Sequence, residues 1–309
     1  MSPILSSFST RFTKLLVLEY GFSLTDIGAV YPCTAVQAGM LSQFLRSSGS
    51  LYFNHMLYEL SPTINISLLK QAWTEVMEEN EILRAGFVSI DDDEHSFATV
   101  IHSQRSAELP WSVINTNNDS FQSVVEEQKR KLTLHSLAKL EFLPWHLTLI
   151  NTQTLTHLLL SAHHALYDAQ SLRMVLDDVM DHYYGVETKF HSHLSGTLAT
   201  IVSSSLDTAK LDAGRTFWQK HLEGCTISTL PSLTDTRVRS SSSHVTELLC
   251  TLKLSQIETA VQKLGYSLHA VAQAAWARVL SAYLGEQQVM FGLGMYTAST
   301  KYYDVDITC

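Results

Sequence analysis

The stretch Ser161-Ala162-His163-His164-Ala165-Leu166-Tyr167-Asp168-Ala169-Gln170-Ser171 carries the residue types and spacing with the most chemical use. An imidazole titrates near neutrality, at about pH 6.5, so it can take a proton from a nucleophile or return one to a leaving group. A neutral imidazole can instead orient a nucleophile by hydrogen bonding. Asp168, following in the same turn, can stiffen it through an ion pair or through backbone amides. Ordinary structural roles compete with these readings. A histidine at a strand end commonly serves packing, and an Asp before a helix commonly caps it. A metal shared by the two histidines is disfavoured, because adjacent side chains on extended backbone point to opposite faces. Cys33, Cys225, Cys250 and Cys309 contain no close pair. Neither a zinc centre nor a redox pair is therefore expected, and scattered reduced thiols are.

These side chains sit where a strand hands over to a helix. Residues 156–162 form a strongly apolar run of the kind buried on both faces. Leu172, Val175, Leu176, Val179 and Tyr183 then recur at helical spacing. Upstream, residues 1–20 read as a short helix or linker, and Tyr31-Pro32 stops the first segment. Thr34 is placed to cap a helix over 35–46, and 51–60 reads as a strand. Leu68, Leu69, Ala72, Trp73, Val76 and Met77 predict a helix. Phe87, Val88 and Ile90 predict a strand, with 97–101 as its hairpin partner across an acidic turn. A helix over 120–132 capped by Asp119 and a strand over 145–150 precede the histidines.

Downstream, 185–208 is looser, Phe217-Trp218 opens an apolar patch, and the serines 240–243 read as a surface loop. Residues 245–254 alternate as a strand would, and Ser255 and Glu258 have capping-box spacing before a helix burying Ile257, Val261 and Leu264. Residues 268–284 predict a long apolar helix and 288–292 a last strand. Mixed strands and helices give an α/β (α+β) class. The lobe boundary is expected near 185, giving lobes 1–185 and 186–309.

Bulk properties narrow the field. The 309 residues are 45% hydrophobic and 17% charged, which suits a sizeable core. A formal net charge of -9 gives no general pull toward nucleic acid or anionic lipid. No apolar run reaches the ~18 residues of a membrane span, and residues 1–20 lack a signal-peptide pattern. A cytoplasmic protein without nucleic-acid or membrane partners is the expectation.

The residues 163–169 resemble the HHxxxDG motif of condensation domains from nonribosomal peptide synthetases. Tyr31 to Leu41 resembles the family's P-x-x-x-Q-x-G-M-L opening, and Leu83-Arg84-Ala85-Gly86-Phe87 its L-R-T-x-F motif. Trp276, in Ala-Ala-Trp-Ala, and Val289-Met290-Phe291-Gly292 resemble the helix and strand that follow in the second lobe. Order and spacing agree over 31–292. The wording looks fungal and siderophore-synthetase-like.

The resemblance implies a two-lobed chloramphenicol-acetyltransferase-like fold with a tunnel entered by two phosphopantetheine arms. Partner carrier proteins bear these arms, adenylation domains of the same or a partner synthetase load them, and the chain itself binds no cofactor. It further implies amide formation between an acyl or peptidyl thioester and an aminoacyl thioester. His164 maps to the catalytic histidine, with His163 and Asp168 architectural. The resemblance also leads to Arg84 as the partner of Asp168; otherwise Arg84 is a surface cation beside Glu78, Glu79 and Glu81. Gln37 and Trp276 are read as packing or capping residues.

Two departures stand out. Ala169 replaces the motif's glycine, which costs about 1 kcal/mol if that position needs φ > 0. After Gly292 the resemblance fades, so an incomplete second lobe and little activity are expected. A non-catalytic carrier-binding or remnant module is one alternative. A free-standing acyltransferase using acyl-CoA is another, and it requires a basic pocket. The tight basic run Lys129-Arg130-Lys131 lies beside Glu126 and Glu127, as on a solvated helix face.

Overall fold

Apolar strands of the first part of the chain pair into two sheets. The computed structural model describes residues 3–186, 197–205, 208–225 and 247–292. The chain divides into a first unit reaching Leu211 and a second beginning at Asp212.

In the first unit, β1 (Ile27–Pro32), β3 (Ala85–Ser89) and β4 (Phe97–His102) form an antiparallel sheet in the order β1-β4-β3. The second sheet joins β2 (Phe53–Leu60), β5 (Trp111–Asn115), β6 (Trp145–Asn151) and β7 (Thr156–His163) in the order β2-β7-β6-β5. Only its β5–β6 pair is parallel. As its continuous apolar run predicts, β7 is central, with Leu158, Leu159 and Leu160 buried on alternating faces.

Helices α1 (Pro3–Glu19), α2 (Ala35–Arg46), α3 (Ile66–Glu79), α4 (Phe121–Ala138), α5 (Ala169–Tyr184) and α6 (Thr197–Ser205) belong to this unit. The α2 bounds are those expected, with Thr34 and Gln37 forming a capping box. On α3 the apolar stripe Leu69, Ala72, Trp73, Val76 and Met77 is buried, and Trp73 meets Trp145 with ring centroids 6.0 Å apart. Among the described residues, no helix is long and apolar enough to cross a membrane.

Several local expectations are corrected. The segment before Pro32 is a strand, because β4 offers Ile27–Pro32 a complete antiparallel partner. The short strand β5 escapes the pattern, having too few residues to establish a period. Ser120 rather than Asp119 occupies the α4 N-cap, and its N–H is held by Asn117 Oδ1 at 2.7 Å. Val202 of α6, 2% exposed, packs into the core of the first unit.

The second unit's described elements are helical: α7 (Thr208–His221), whose first residues lie in the first unit, α8 (Leu254–Lys263) and α9 (Leu268–Leu284). Lys253, not Ser255, is the α8 N-cap, and its N–H bonds Gln256 Oε1 at 3.0 Å. Residues 247–253 and 288–292 are not strands. Leu248 and Leu249 are 93% and 96% exposed, and among the described residues the alternating pattern meets no neighbouring strand that would complete a ladder. The serines 240–243 and the residues after 292 lie outside the described residues.

Candidate active site

The central strand β7 ends on His163, which pairs in register with Phe53 of β2. A 3₁₀ turn, His164–Leu166, follows, and Asp168 then opens α5. This geometry separates the two imidazoles. His163 is fully buried, edge-on to Phe44 with ring centroids 4.8 Å apart. Its Nδ1 accepts the Ala165 N–H at 3.0 Å, so it closes the turn from inside. Burial, reinforced by the neighbouring His164, pushes its pKa down to about 4, so it stays neutral.

His164 is only partly buried. Its backbone N–H donates to Tyr52 O at 2.8 Å, and Tyr52 adopts a left-handed φ of 63° just before β2. Its Nδ1 lies 2.8 Å from Tyr167 O. A carbonyl only accepts, so Nδ1 carries the hydrogen and the neutral ring keeps its lone pair on Nε2. The Tyr167 ring stacks on the imidazole at 4.9 Å between centroids and 2° between planes. The Tyr167 hydroxyl accepts Asn54 Nδ2 at 2.8 Å. Burial raises the phenol's pKa, with Asn54 opposing and Tyr58 reinforcing, so Tyr167 stays protonated. Chemically, the turn presents one imidazole able to accept a proton at Nε2, oriented through its other nitrogen.

Asp168 and Arg84 are not partners. The Asp168 carboxylate accepts the Ser171 N–H at 2.7 Å and its hydroxyl at 2.8 Å, forming a capping box at the α5 N-terminus. Burial acts to raise its pKa. Hydrogen bonds from Ser171 and Gln170, with His164 nearby, outweigh that and hold it below the ordinary carboxylate range. Arg84 is buried rather than a surface cation. It donates from Nη1 to His102 O at 2.7 Å and from Nε to Met77 O at 3.3 Å, tying the end of β4 to α3. The local cap satisfies Asp168, and two main-chain carbonyls satisfy Arg84, so neither needs the other. Ala169 is the first residue of α5 and is not among the positive-φ residues, so the missing glycine costs no backbone strain here.

Sequence reasoning did not single out Tyr167, Asn54 or the clamp made by Gln37. Gln37 Nε2 donates to Ala165 O at 3.1 Å, and its Oε1 accepts the Thr34 N–H at 3.0 Å. One side chain thus caps α2 and pins the turn that holds the histidines. Tyr167 lay in view inside the motif, but its stack on His164 required the turn's geometry. Elsewhere, among the described residues, no cluster of three or more His, Cys, Asp or Glu side chains is arranged to hold a metal. Lys129 and Arg130 pair with Glu126 at 2.8 Å and Glu127 at 2.7 Å on the exposed side of α4.

Similarity to characterised proteins follows the same outline. The chain is 30% identical over 308 residues to nonribosomal peptide synthetase Ao415 of Arthrobotrys oligospora, a match covering 99% of this chain and 9% of that protein. It is 31% identical to nonribosomal peptide synthetase sidC of Arthroderma benhamiae, covering 93% of this chain and 6% of that one. A hydroxamate-type ferrichrome siderophore peptide synthetase of Schizosaccharomyces pombe matches at 27% identity, over 86% of this chain and 5% of its own length. The chain therefore spans less than a tenth of these relatives. In fold it resembles the starter condensation domain of rhizomide synthetase RzmA, with a TM-score of 0.64 and 17% identity over 88% of this chain and 63% of that one. The EpoB cyclization-docking bidomain from Sorangium cellulosum gives a TM-score of 0.60 at 16% identity, over 92% and 59% of the two chains. These neighbours share the chloramphenicol-acetyltransferase-like fold. The condensation-domain profile runs through residues 27–297, spanning the Gln37 clamp, the Arg84 anchor and the histidine turn, and the chain belongs to the condensation-domain family.

Proposed function

We propose that this chain forms amide bonds between carrier-bound thioesters in nonribosomal peptide synthesis, with His164 as the group that handles the proton. The amine of an aminoacyl thioester attacks the carbonyl carbon of an acyl or peptidyl thioester. A C–N bond forms, the C–S bond breaks, and the first carrier's phosphopantetheine thiol leaves. The proton lost by the amine passes to His164 Nε2 and on to the departing sulfur. His163 and Asp168 hold the turn, and Arg84 ties the end of β4, in the other sheet, to α3. The substrates arrive on carrier proteins loaded by adenylation domains of the same or a partner synthetase, in the cytoplasm. Siderophore-type hydroxamate peptides are the product class suggested by the name of the Schizosaccharomyces pombe relative.

The observation that carries this reading is the Nδ1 contact of His164 with Tyr167 O at 2.8 Å, which leaves Nε2 as the free lone pair on a partly exposed ring. The test is dipeptide formation from two loaded carrier proteins. His164→Ala should reduce the rate by about 10²–10⁴-fold while carrier affinity is retained, the usual size of general acid–base catalysis. A small, weakly pH-dependent loss would mean that His164 orients the amine instead. Undiminished turnover would overturn the catalytic assignment and favour the carrier-binding reading.

A further inference from the structure

His164 has one side-chain hydrogen bond, from Nδ1 to Tyr167 O at 2.8 Å. That bond fixes one ring atom and leaves the ring free to rock about it. The Tyr167 ring lies parallel at 4.9 Å and closes one face to this motion. Tyr167 is itself anchored, because Asn54 Nδ2 donates to its hydroxyl at 2.8 Å. Asn54 belongs to β2, and its register partner on β7 is Ala162, two residues before His164. A strand-borne amide, a phenol and an imidazole therefore form one chain of contacts.

The geometry assigns Tyr167 and Asn54 a joint role as positioning residues: Tyr167 is an aromatic plate that holds the His164 ring in line and supports its protonated form, and Asn54 is the strut of that plate. This inference rests on the reading of His164 as the proton-handling group. An aromatic face attracts a cation, so the imidazolium formed as the amine loses its proton is favoured over the plate. Tyr167 takes no proton itself. The proton moves from the amine to Nε2 and then to the leaving thiolate, and charge balances without the phenol. His163 before the turn, Asp168 after it and Tyr58 on β2 are the other titratable groups coupled to this pair. All three remain when Tyr167 is changed.

The experiment is ¹⁵N-imidazole NMR of the folded chain, reading the tautomer and the mobility of the His164 ring, paired with the two-carrier condensation assay. In the wild type, neutral His164 should show one tautomer with hydrogen on Nδ1. Tyr167→Ala keeps the main-chain carbonyl that accepts the Nδ1 hydrogen, so the tautomer should persist, while ¹⁵N relaxation should show a more mobile ring because the plate is gone. In the assay its kcat should fall by about 10–10²-fold with KM for the carriers unchanged, as misplacement of a reacting group by ~1 Å produces. Tyr167→Phe keeps the plate and loses only the strut, so the mobility of the His164 ring should stay near wild type with a smaller loss of kcat. Asn54→Ala should match Tyr167→Phe, and the two together should do no further harm, because both remove the same bond.

A merely structural role would lower the melting temperature without changing the mobility of the His164 ring. Unchanged ring mobility in Tyr167→Ala, or a Phe variant behaving like the Ala variant, would overturn the proposal. The NMR readout needs no substrate. If His164→Ala kept full turnover, the catalytic reading would fall while the plate was still judged on the mobility of the His164 ring.

Discussion

Asp168 shows how a local partner forestalls a distant one. A carboxylate at a helix start finds the N–H and hydroxyl of Ser171 within its own turn, with no chain-closure cost. Arg84, buried, finds carbonyls at 2.7 and 3.3 Å, and Glu81 and Glu78 oppose the effect of burial on its charge. Asp168→Ala should destabilise by about 1 kcal/mol, the usual worth of an N-cap. Arg84→Met should cost roughly 1–3 kcal/mol by leaving His102 O and Met77 O without their donor. Because the two residues share no bond, the double mutant should be additive within about 0.5 kcal/mol in urea unfolding. A coupling well above that would show that the two side chains do meet.

At the scale of elements, the motif Leu83-Arg84-Ala85-Gly86-Phe87 joins the two sheets. Leu83 O accepts Trp145 Nε1 at 2.8 Å, and Phe87 N donates to Leu140 O at 2.8 Å. Between them, a Cβ on Gly86 would stand 2.0 Å from Glu141 O and 2.5 Å from its carbonyl carbon. Both are backbone atoms that cannot swing aside. Gly86→Ala should therefore push β3 away from the 140–142 segment and cost about 3 kcal/mol or more, at the upper end of overpacking penalties. A fall in melting temperature of only a degree or two would show that this backbone gives way. The glycine here answers to close approach, since its φ is not in the left-handed region.

At the scale of the whole molecule, the histidines make the fold sensitive to acid. Burial holds His163, His55 and His146 at about 4, and burial also lowers His102. In the unfolded chain each titrates near the ordinary value of about 6.5. Above that pH both states are neutral and stability is whole. Between about pH 6.5 and 4 the unfolded chain binds protons that the folded chain refuses, so stability falls as pH falls. Urea midpoints should drop steadily from pH 7 to 4.5, and His163→Phe should reduce the slope by up to about 1.4 kcal/mol per pH unit. A pH-independent midpoint over that range would contradict the burial of these rings.

The sequence by itself determined what depends on near neighbours. The apolar run 156–162, the helical stripe of α5 and the Thr34–Gln37 cap are legible because strand burial, helix periodicity and capping act within a few residues. The position of His164 at a strand-to-helix turn follows from them, and so does the separation of the two imidazoles, since neighbouring residues on extended backbone face opposite ways. Tertiary structure decided the partners. Gln37 reaches Ala165 across 128 residues and Asn54 reaches Tyr167 across 113, distances over which no periodicity carries information. The same limit explains why 247–253 is not a strand despite the alternation expected there: among the described residues it has no pairing strand. A backbone ladder, a buried guanidinium and a stacked ring are each stabilised by groups that folding alone brings within reach.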